Sequence, residues 1–152
     1  MKISTRGRYA IRALIYLVNH MDKGPVSLQD ISENENISIT YLGQIFFHLK
    51  QFNIVKSVRG PGGGYLLARD PEDIKLSEIV KAAEESINVS ECVEHPEECD
   101  RSANCLTRIL WLYLNRLIMN FFDTITLADL KDTDIVGLTR KLAEKLGKMQ
   151  IS

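Results

Sequence analysis

The sequence predicts a mostly α-helical chain with a small β-wing, in which a winged helix-turn-helix domain precedes a long dimerisation helix. Two short capped helices joined by a tight turn come before a glycine-tipped β-hairpin, and a later helix is apolar on more than one face. We expect residues 1–70 to form the winged domain. Residues 71–105 would form a linker helix and a cysteine loop, and residues 106–152 the long helix and a C-terminal tail.

The composition is that of a globular chain of about one domain, with 152 residues of which 45% are hydrophobic and 26% charged. The sequence has neither the long apolar run of a membrane span nor the apolar segment of a secretory signal. We therefore expect a cytoplasmic protein with no membrane partner. Residues 1–69 carry nine Lys/Arg against four Asp/Glu, whereas residues 70–105 carry three against eleven. A basic front of this kind is the expected footprint of a phosphate-binding surface.

The helix-turn-helix is predicted from periodicity and capping signals. Apolar residues at helical spacing predict a first helix from Thr5 to Met21. Ser27 can cap a short second helix, and Ser38 can cap a third helix that runs from about 39 to 52. Asn53 then favours the left-handed conformation in which helices end.

A hairpin and two further helices complete the predicted elements. Residues 54–59 and 65–69 are predicted strands, and residues 60–64 form a glycine-rich turn whose backbone can approach a sugar-phosphate chain closely. A helix over about 76–84, capped by Ser77 or slightly before it, leads into a polar loop. The last predicted helix runs from Asp134 to Met149.

The long helix from about Leu106 to Ile125 carries apolar residues that do not fit a single stripe. A surface helix needs only one apolar stripe, and a chain of this size has little further core to cover the rest. We therefore expect a homodimer formed through this helix.

Three cysteines lie close together in the sequence, at Cys92, Cys99 and Cys105. An odd, clustered set in a reducing compartment favours metal or redox chemistry over a disulfide framework. Structural zinc sites usually contain a Cys-x2–4-Cys pair, which is absent here, so the chemistry favours an iron–sulfur cluster while zinc and free thiols remain open. The sequence shows no nucleophile–base pair or phosphate loop, so we expect neither an enzyme nor a small-molecule substrate.

Several segments together resemble a known family. They are residues 4–10, 24–28, 37–38, 41–42, 44, 55–60, 63–69 and 123–130, and the three cysteines. In this order and spacing they resemble the iron–sulfur-responsive winged-helix transcription regulators of bacteria, the family that includes IscR and NsrR. The similarity covers residues 1 to about 130.

The resemblance implies a homodimeric repressor that binds a near-palindromic double-stranded operator and controls genes of iron–sulfur cluster assembly. The third helix would enter the major groove and the wing the adjacent minor groove. The implied contacts are to base edges or phosphates from Ser38, Thr40, Tyr41 and Gln44, to the minor groove from Arg59, and to the backbone from Lys56, Gly60, Lys2 and Arg6. Gly43 stands where relatives often have Glu, which bears on operator discrimination.

The resemblance also implies a cluster held by Cys92, Cys99 and Cys105, a [2Fe-2S] rather than a [4Fe-4S] cluster. Relatives take the fourth ligand from a His three residues after the third cysteine or from the partner's first helix. Those positions are Arg108, Arg8 and Arg12 here, and arginine cannot ligate iron. His95 is the best remaining candidate; the others are Glu94, Glu97, Glu98 and Asp100. The alternatives are a nitric-oxide-sensing repressor, and a winged-helix regulator with zinc or no cluster that acts through a partner protein.

Overall fold

The computed structural model describes residues 3–84 and 87–149, so the predicted contact Lys2 lies outside the described residues. The fold is mostly helical with one two-stranded antiparallel sheet, which confirms the predicted fold class. The elements are α1 (Thr5–His20), α2 (Leu28–Glu35), α3 (Ile39–Gln51), β1 (Val55–Val58), β2 (Gly64–Leu67), α4 (Leu76–Ala83), α5 (Glu91–Glu94), α6 (Leu106–Thr124), α7 (Leu127–Leu130) and α8 (Ile135–Lys148). No helix in the described ranges has both the length and the hydropathy needed to cross a bilayer.

Local capping sets the helix-turn-helix. The Ser27 hydroxyl accepts a hydrogen bond from the Asp30 backbone N–H, and the Asp30 carboxylate accepts in turn from Ser27, which forms a capping box at the start of α2. Ser38 caps α3 by accepting from the Tyr41 N–H at 3.2 Å. Asn36 and Asn53 adopt positive φ values of 53° and 54° where α2 and α3 end.

The wing is a hairpin that also pairs with the segment before α2. Val55 pairs with Leu67 and Val58 with Gly64, and the backbones of Val26 and Tyr65 exchange two hydrogen bonds of 2.9 and 2.8 Å. A Cβ at Gly64 would lie 2.4 Å from the Val26 carbonyl oxygen, so this close approach requires glycine. The strands are shorter than predicted: β1 loses one residue at each end, and β2 begins at Gly64, inside the predicted turn, and ends at Leu67.

The core joins the winged domain to the segment that follows α6. Apolar residues of α1, α3 and α4 form one buried cluster with Ile125, Leu127 and Leu130. Backbone hydrogen bonds from Leu76 to Ile125 and from Leu127 to Ile74, both 2.8 Å, tie α4 to α7. The position of α6 relative to the winged domain is therefore set at its C-terminal end.

The helix predicted over about 76–84 is α4, and the structure decides between its two possible caps. The N-cap is Lys75, slightly before Ser77. Ser77 is buried, and its hydroxyl instead donates to the carboxylate of Asp123 on α6. The short helix α7, capped by Thr126 with Asp129, was not predicted. The polar loop contains α5 and two turns of 3-10 helix, at Pro96–Glu98 and Ser102–Asn104.

Candidate functional site

The exposed face of α3 carries most of the predicted base contacts. Leu42, Ile45, Phe46 and Leu49 are buried, and Thr40 and Gln44 lie on the opposite side, where both are exposed. The α3 sequence contains no acidic residue, so no carboxylate on this helix opposes approach to a phosphate backbone. The exposed Ser38 accepts at the helix N-terminus, which leaves its hydroxyl hydrogen free to donate.

Two of the predicted contacts are only half-exposed. The ring of Tyr41 packs edge-on against Tyr9, with ring centroids 5.9 Å apart, and touches the core. Arg6 lies half-buried in the first turn of α1. Their role as DNA contacts stays a prediction.

The wing presents its predicted contacts to solvent. Lys56, Arg59 and Gly60 are all exposed. The Lys50 ammonium donates to the Ser57 hydroxyl at 2.8 Å and so links α3 to β1. This hydrogen bond connects the two elements that are predicted to enter adjacent grooves.

Phe47 was not among the residues predicted to contact DNA, although its side chain is 59% exposed on the same side of α3 as Thr40 and Gln44. The signal was present in the sequence, because Phe47 is out of phase with the apolar face formed by Leu42, Phe46 and Leu49. An aromatic residue on the polar side of a helix is an observation that folding alone does not explain.

The structure does not bring the three cysteines together. Cys92, Cys99 and Cys105 are free and half-buried, and within residues 3–84 and 87–149 no three Cys, His, Asp or Glu side chains are grouped closely enough to hold a metal ion. The Cys92 thiol lies 3.3 Å from the Ser90 hydroxyl. Three soft thiol donors suit an iron–sulfur cluster in kind, but their present arrangement does not.

The surroundings of Cys105 favour its thiolate form. It is the N-cap residue of α6, and its thiol lies 3.1 Å from the Thr107 hydroxyl. Hydrogen bonds from that hydroxyl and from the Arg108 backbone N–H hold the pKa of the Cys105 thiol below its usual value. The thiolate is the form that binds metals.

His95 and the first helix, from which relatives take a fourth ligand, are each engaged in other contacts. The His95 ring is half-exposed and lies 3.2 Å from the Glu97 carboxylate. Arg12 is held by Glu35, with a 3.0 Å ion pair to its carboxylate and a 2.6 Å bond to its carbonyl. The described contacts thus give no fourth ligand, and His95 stays a prediction.

Two residues of α6 hold the beginning of the cysteine loop. Arg108 donates from Nε to the Cys92 carbonyl at 2.9 Å. Asn115 accepts from the Val89 N–H at 3.3 Å and donates to the Asn88 side chain at 3.1 Å. Segment 88–92 therefore lies along α6.

The entry to the loop is held by the winged domain. One oxygen of the Glu84 carboxylate accepts from the Ser4 N–H at 2.9 Å and from the Ser4 hydroxyl at 2.7 Å. Gly7 gives this carboxylate room, because a Cβ there would lie 2.2 Å from it. The Ser4–Gly7–Glu84 contact thus joins the N-terminus of α1 to the residue where α4 ends.

The surface of α6 is largely apolar and open. None of the described α6 residues is buried. Leu106 is 84% exposed, Leu110 62% and Tyr113 57%. Ile3, α6 and α8 also line an apolar groove formed by Ile3, Leu117, Ile118, Phe121, Phe122, Leu146 and Met149. The apolar excess predicted for this helix is therefore present in the single chain.

Comparison with known proteins gives consistent matches. Residues 3–133 match the Rrf2 family, described as iron-dependent transcriptional regulators. The HTH-type transcriptional regulator IscR of Sodalis glossinidius is 43% identical over 130 residues, which cover 86% of this chain and 78% of that protein. The corresponding figures for IscR of Serratia proteamaculans are 42%, 86% and 79%.

Solved structures agree with the sequence matches. IscR of T. potens has a TM-score of 0.69 at 34% identity and covers 99% of this chain and 93% of its own. CymR of B. subtilis, described as a global cysteine regulator, has a TM-score of 0.73 at 34% identity, over 88% of this chain and 99% of its own.

Proposed function

The chain belongs to the Rrf2 family of transcription regulators, and we propose that it acts as a cytoplasmic homodimer that binds a near-palindromic operator and responds to an iron–sulfur cluster. It is an IscR-like regulator and not an enzyme. The observation that carries the proposal is the position of the start of the cysteine loop. Glu84, just before the loop, contacts α1 of the winged domain, and segment 88–92 then contacts the open α6 surface.

The DNA-binding surface combines α3 and the wing. Thr40 and Gln44 are exposed and can reach base edges, where Gln bonds adenine in two places and the Thr methyl touches thymine. Arg59 at the wing tip suits a narrow A·T-rich minor groove. Lys56 and the Gly60 amide would bind phosphates and fix the register.

A second copy of the chain is the partner that suits α6. Leu106, Ile109, Leu110, Tyr113, Leu114 and Leu117 recur at spacings of three and four residues, which is the pattern of a helix that packs along another helix. A two-fold dimer would bury this stripe on both copies and present two winged domains to two half-sites, one helical turn of DNA apart.

The cluster would be held by Cys92, Cys99 and Cys105. When bound, an iron–sulfur cluster supplies a centre that iron limitation, oxidation or nitric oxide can remove or alter. The described conformation leaves the three thiols apart, so binding one cluster requires the loop to rearrange. Such a rearrangement would strain the Arg108 contact to Cys92 and the Asn115 contact to Val89, both of which lie on the dimer helix.

The first test is purification without oxygen, followed by visible absorption and iron and sulfide analysis. We expect a coloured protein with about two irons and two sulfides per chain. Cys99→Ser should lose the colour, whereas Ser102→Ala, in the same loop, should keep it. About four irons per chain would favour the [4Fe-4S] alternative and a nitric-oxide sensor.

The second test compares the affinity of loaded and cluster-free protein for DNA selected from a randomised library. We expect the two forms to differ on at least one class of selected site. Equal affinity on every site would refute cluster sensing. A colourless protein that still binds DNA would refute the cluster and leave a winged-helix regulator that uses zinc, thiols or a partner protein.

A further inference from the structure

An apolar notch lies beside the polar row of the proposed DNA-reading surface. Ile39 and Phe47 are 44% and 59% exposed, whereas Phe46, the neighbouring aromatic, is fully buried. Ile39, Gly43 and Phe47 are spaced by four residues and so form one row on α3. A Cβ at Gly43 would meet nothing within 4 Å, so the row has a gap between its two apolar side chains. We call these three residues the Ile39–Phe47 notch.

We propose that the Ile39–Phe47 notch is a specificity site that receives the 5-methyl group of a thymine in the major groove. This inference rests on the proposed DNA binding by α3. The thymine methyl is the one apolar group that base pairs present at the major-groove edge, and apolar side chains, Phe among them, contact it. Thr40 and Gln44, in the adjacent row of α3, can bond polar base edges.

DNA fits the notch better than a protein partner does, because the notch is continuous with the remaining DNA contacts. Phe47 shares its side of α3 with Thr40 and Gln44, and Lys50 ties the same helix to the exposed, basic wing. A protein seated on Phe47 would also cover these polar residues. A base edge reaches the notch only if the backbone of α3 can approach, and Gly43 permits that approach.

Phe52 provides a matched control. It is 49% exposed and lies at the C-terminal end of the same helix. Five residues separate it from Phe47, which places it roughly 140° around the helix axis. Phe52→Ala removes the same side chain, at the C-cap of α3, without changing the notch.

The test measures binding to an operator selected from a randomised DNA library, with each thymine in turn replaced by deoxyuridine, which lacks only the methyl group. For the wild-type protein, each half-site should contain one thymine whose single replacement weakens binding about fourfold, since a buried methyl group contributes about 0.8 kcal/mol. In Phe47→Ala that replacement should have no effect, whereas Phe52→Ala should respond as the wild type does. Sites selected by Phe47→Ala should vary at that thymine and keep the other positions.

The inference is overturned if no thymine methyl matters to the wild type, or if uracil weakens wild type and Phe47→Ala equally. It is also overturned if Phe47→Ala binds every DNA as the wild type does. That result would favour a protein partner, rather than DNA, as the group that contacts Phe47. If the wild-type protein selects no sequence at all, the proposed operator binding fails, and that outcome is distinct from the others.

Discussion

A single methyl group added at Gly7 should destabilise the protein, although alanine is the better helix former. The exchange favours a helix by up to about 1 kcal/mol. The new Cβ, however, would lie 2.2 Å from one Glu84 carboxylate oxygen and 3.1 Å from its carboxyl carbon, so the side chain has to move.

Displacement of Glu84 breaks two hydrogen bonds, from the Ser4 N–H and the Ser4 hydroxyl. Hydrogen bonds to charged groups contribute about 1.5–3 kcal/mol when buried, and these are partly buried, so we take roughly 1–1.5 kcal/mol each. After subtraction of the gain in helix propensity, Gly7→Ala should lower the free energy of unfolding by about 1–2 kcal/mol.

The assay is urea unfolding of the cluster-free protein, followed by circular dichroism at one fixed chain concentration, since a dimer's stability depends on concentration. In a Glu84→Ala background, Gly7→Ala should be neutral or stabilising. Gly43→Ala is the control, because a Cβ there meets nothing within 4 Å, and it should stabilise by up to about 1 kcal/mol. An equal effect of Gly7→Ala in both backgrounds would refute the reasoning.

Three further changes test the dimer, the loop and the acid response. Leu110→Asp removes a 62% exposed side chain from the proposed interface. At roughly 1–2 kcal/mol per copy, it should raise the dimer dissociation constant in sedimentation at least about 30-fold. An unchanged dissociation constant would contradict a dimer formed through α6. Arg108→Ala should speed amide hydrogen exchange of residues 88–92 by about tenfold, whereas unchanged exchange would mean that the bond to Cys92 does not hold the loop. Burial raises the pKa of Asp129, but hydrogen bonds from Thr126 and the Lys145 ion pair outweigh it, so the pKa lies below its usual 3.8. Asp129 therefore stabilises the fold above that value and loses this contribution as the pH falls through the lower, folded-state pKa. Between pH 6 and pH 3, the free energy of unfolding in urea should fall less in Lys145→Gln than in the wild type. An identical fall would mean that the Asp129–Lys145 ion pair does not contribute to the acid response.

What the sequence predicted well depended on neighbouring residues. Ser27, Ser38 and Asn53 act within three or four residues of their partners, and all three serve as predicted. Ser77 was ambiguous because its partner, Asp123, lies 46 residues away. A cap and a buried tertiary hydrogen bond require the same residue type, and only the fold distinguishes them.

The candidate functional residues likewise include some that local sequence predicts and some that it does not. Exposure of Thr40 and Gln44 follows from the period of α3, and the same period would have identified Phe47. The contacts of Arg108 with Cys92 and of Glu84 with Ser4 span 16 and 80 residues in an irregular part of the chain. No periodicity describes such contacts, because they depend on where a loop crosses two helices.

The contacts that hold the loop differ in strength, and this difference predicts which of them breaks first when the loop moves. The Glu84 contact with Ser4 joins a charge to two donors, whereas Asn115 holds Val89 by one neutral hydrogen bond of 3.3 Å. Bonds to charged groups contribute about twice as much as neutral ones. The Arg108 bond to the Cys92 carbonyl also involves a charge, at 2.9 Å. A force that draws the cysteines together should therefore free Val89 from Asn115 before it frees Glu84 from Ser4 or Cys92 from Arg108. In the proposed dimer, the first change would fall between the loop and α6, and the two winged domains would stay intact while their spacing changes.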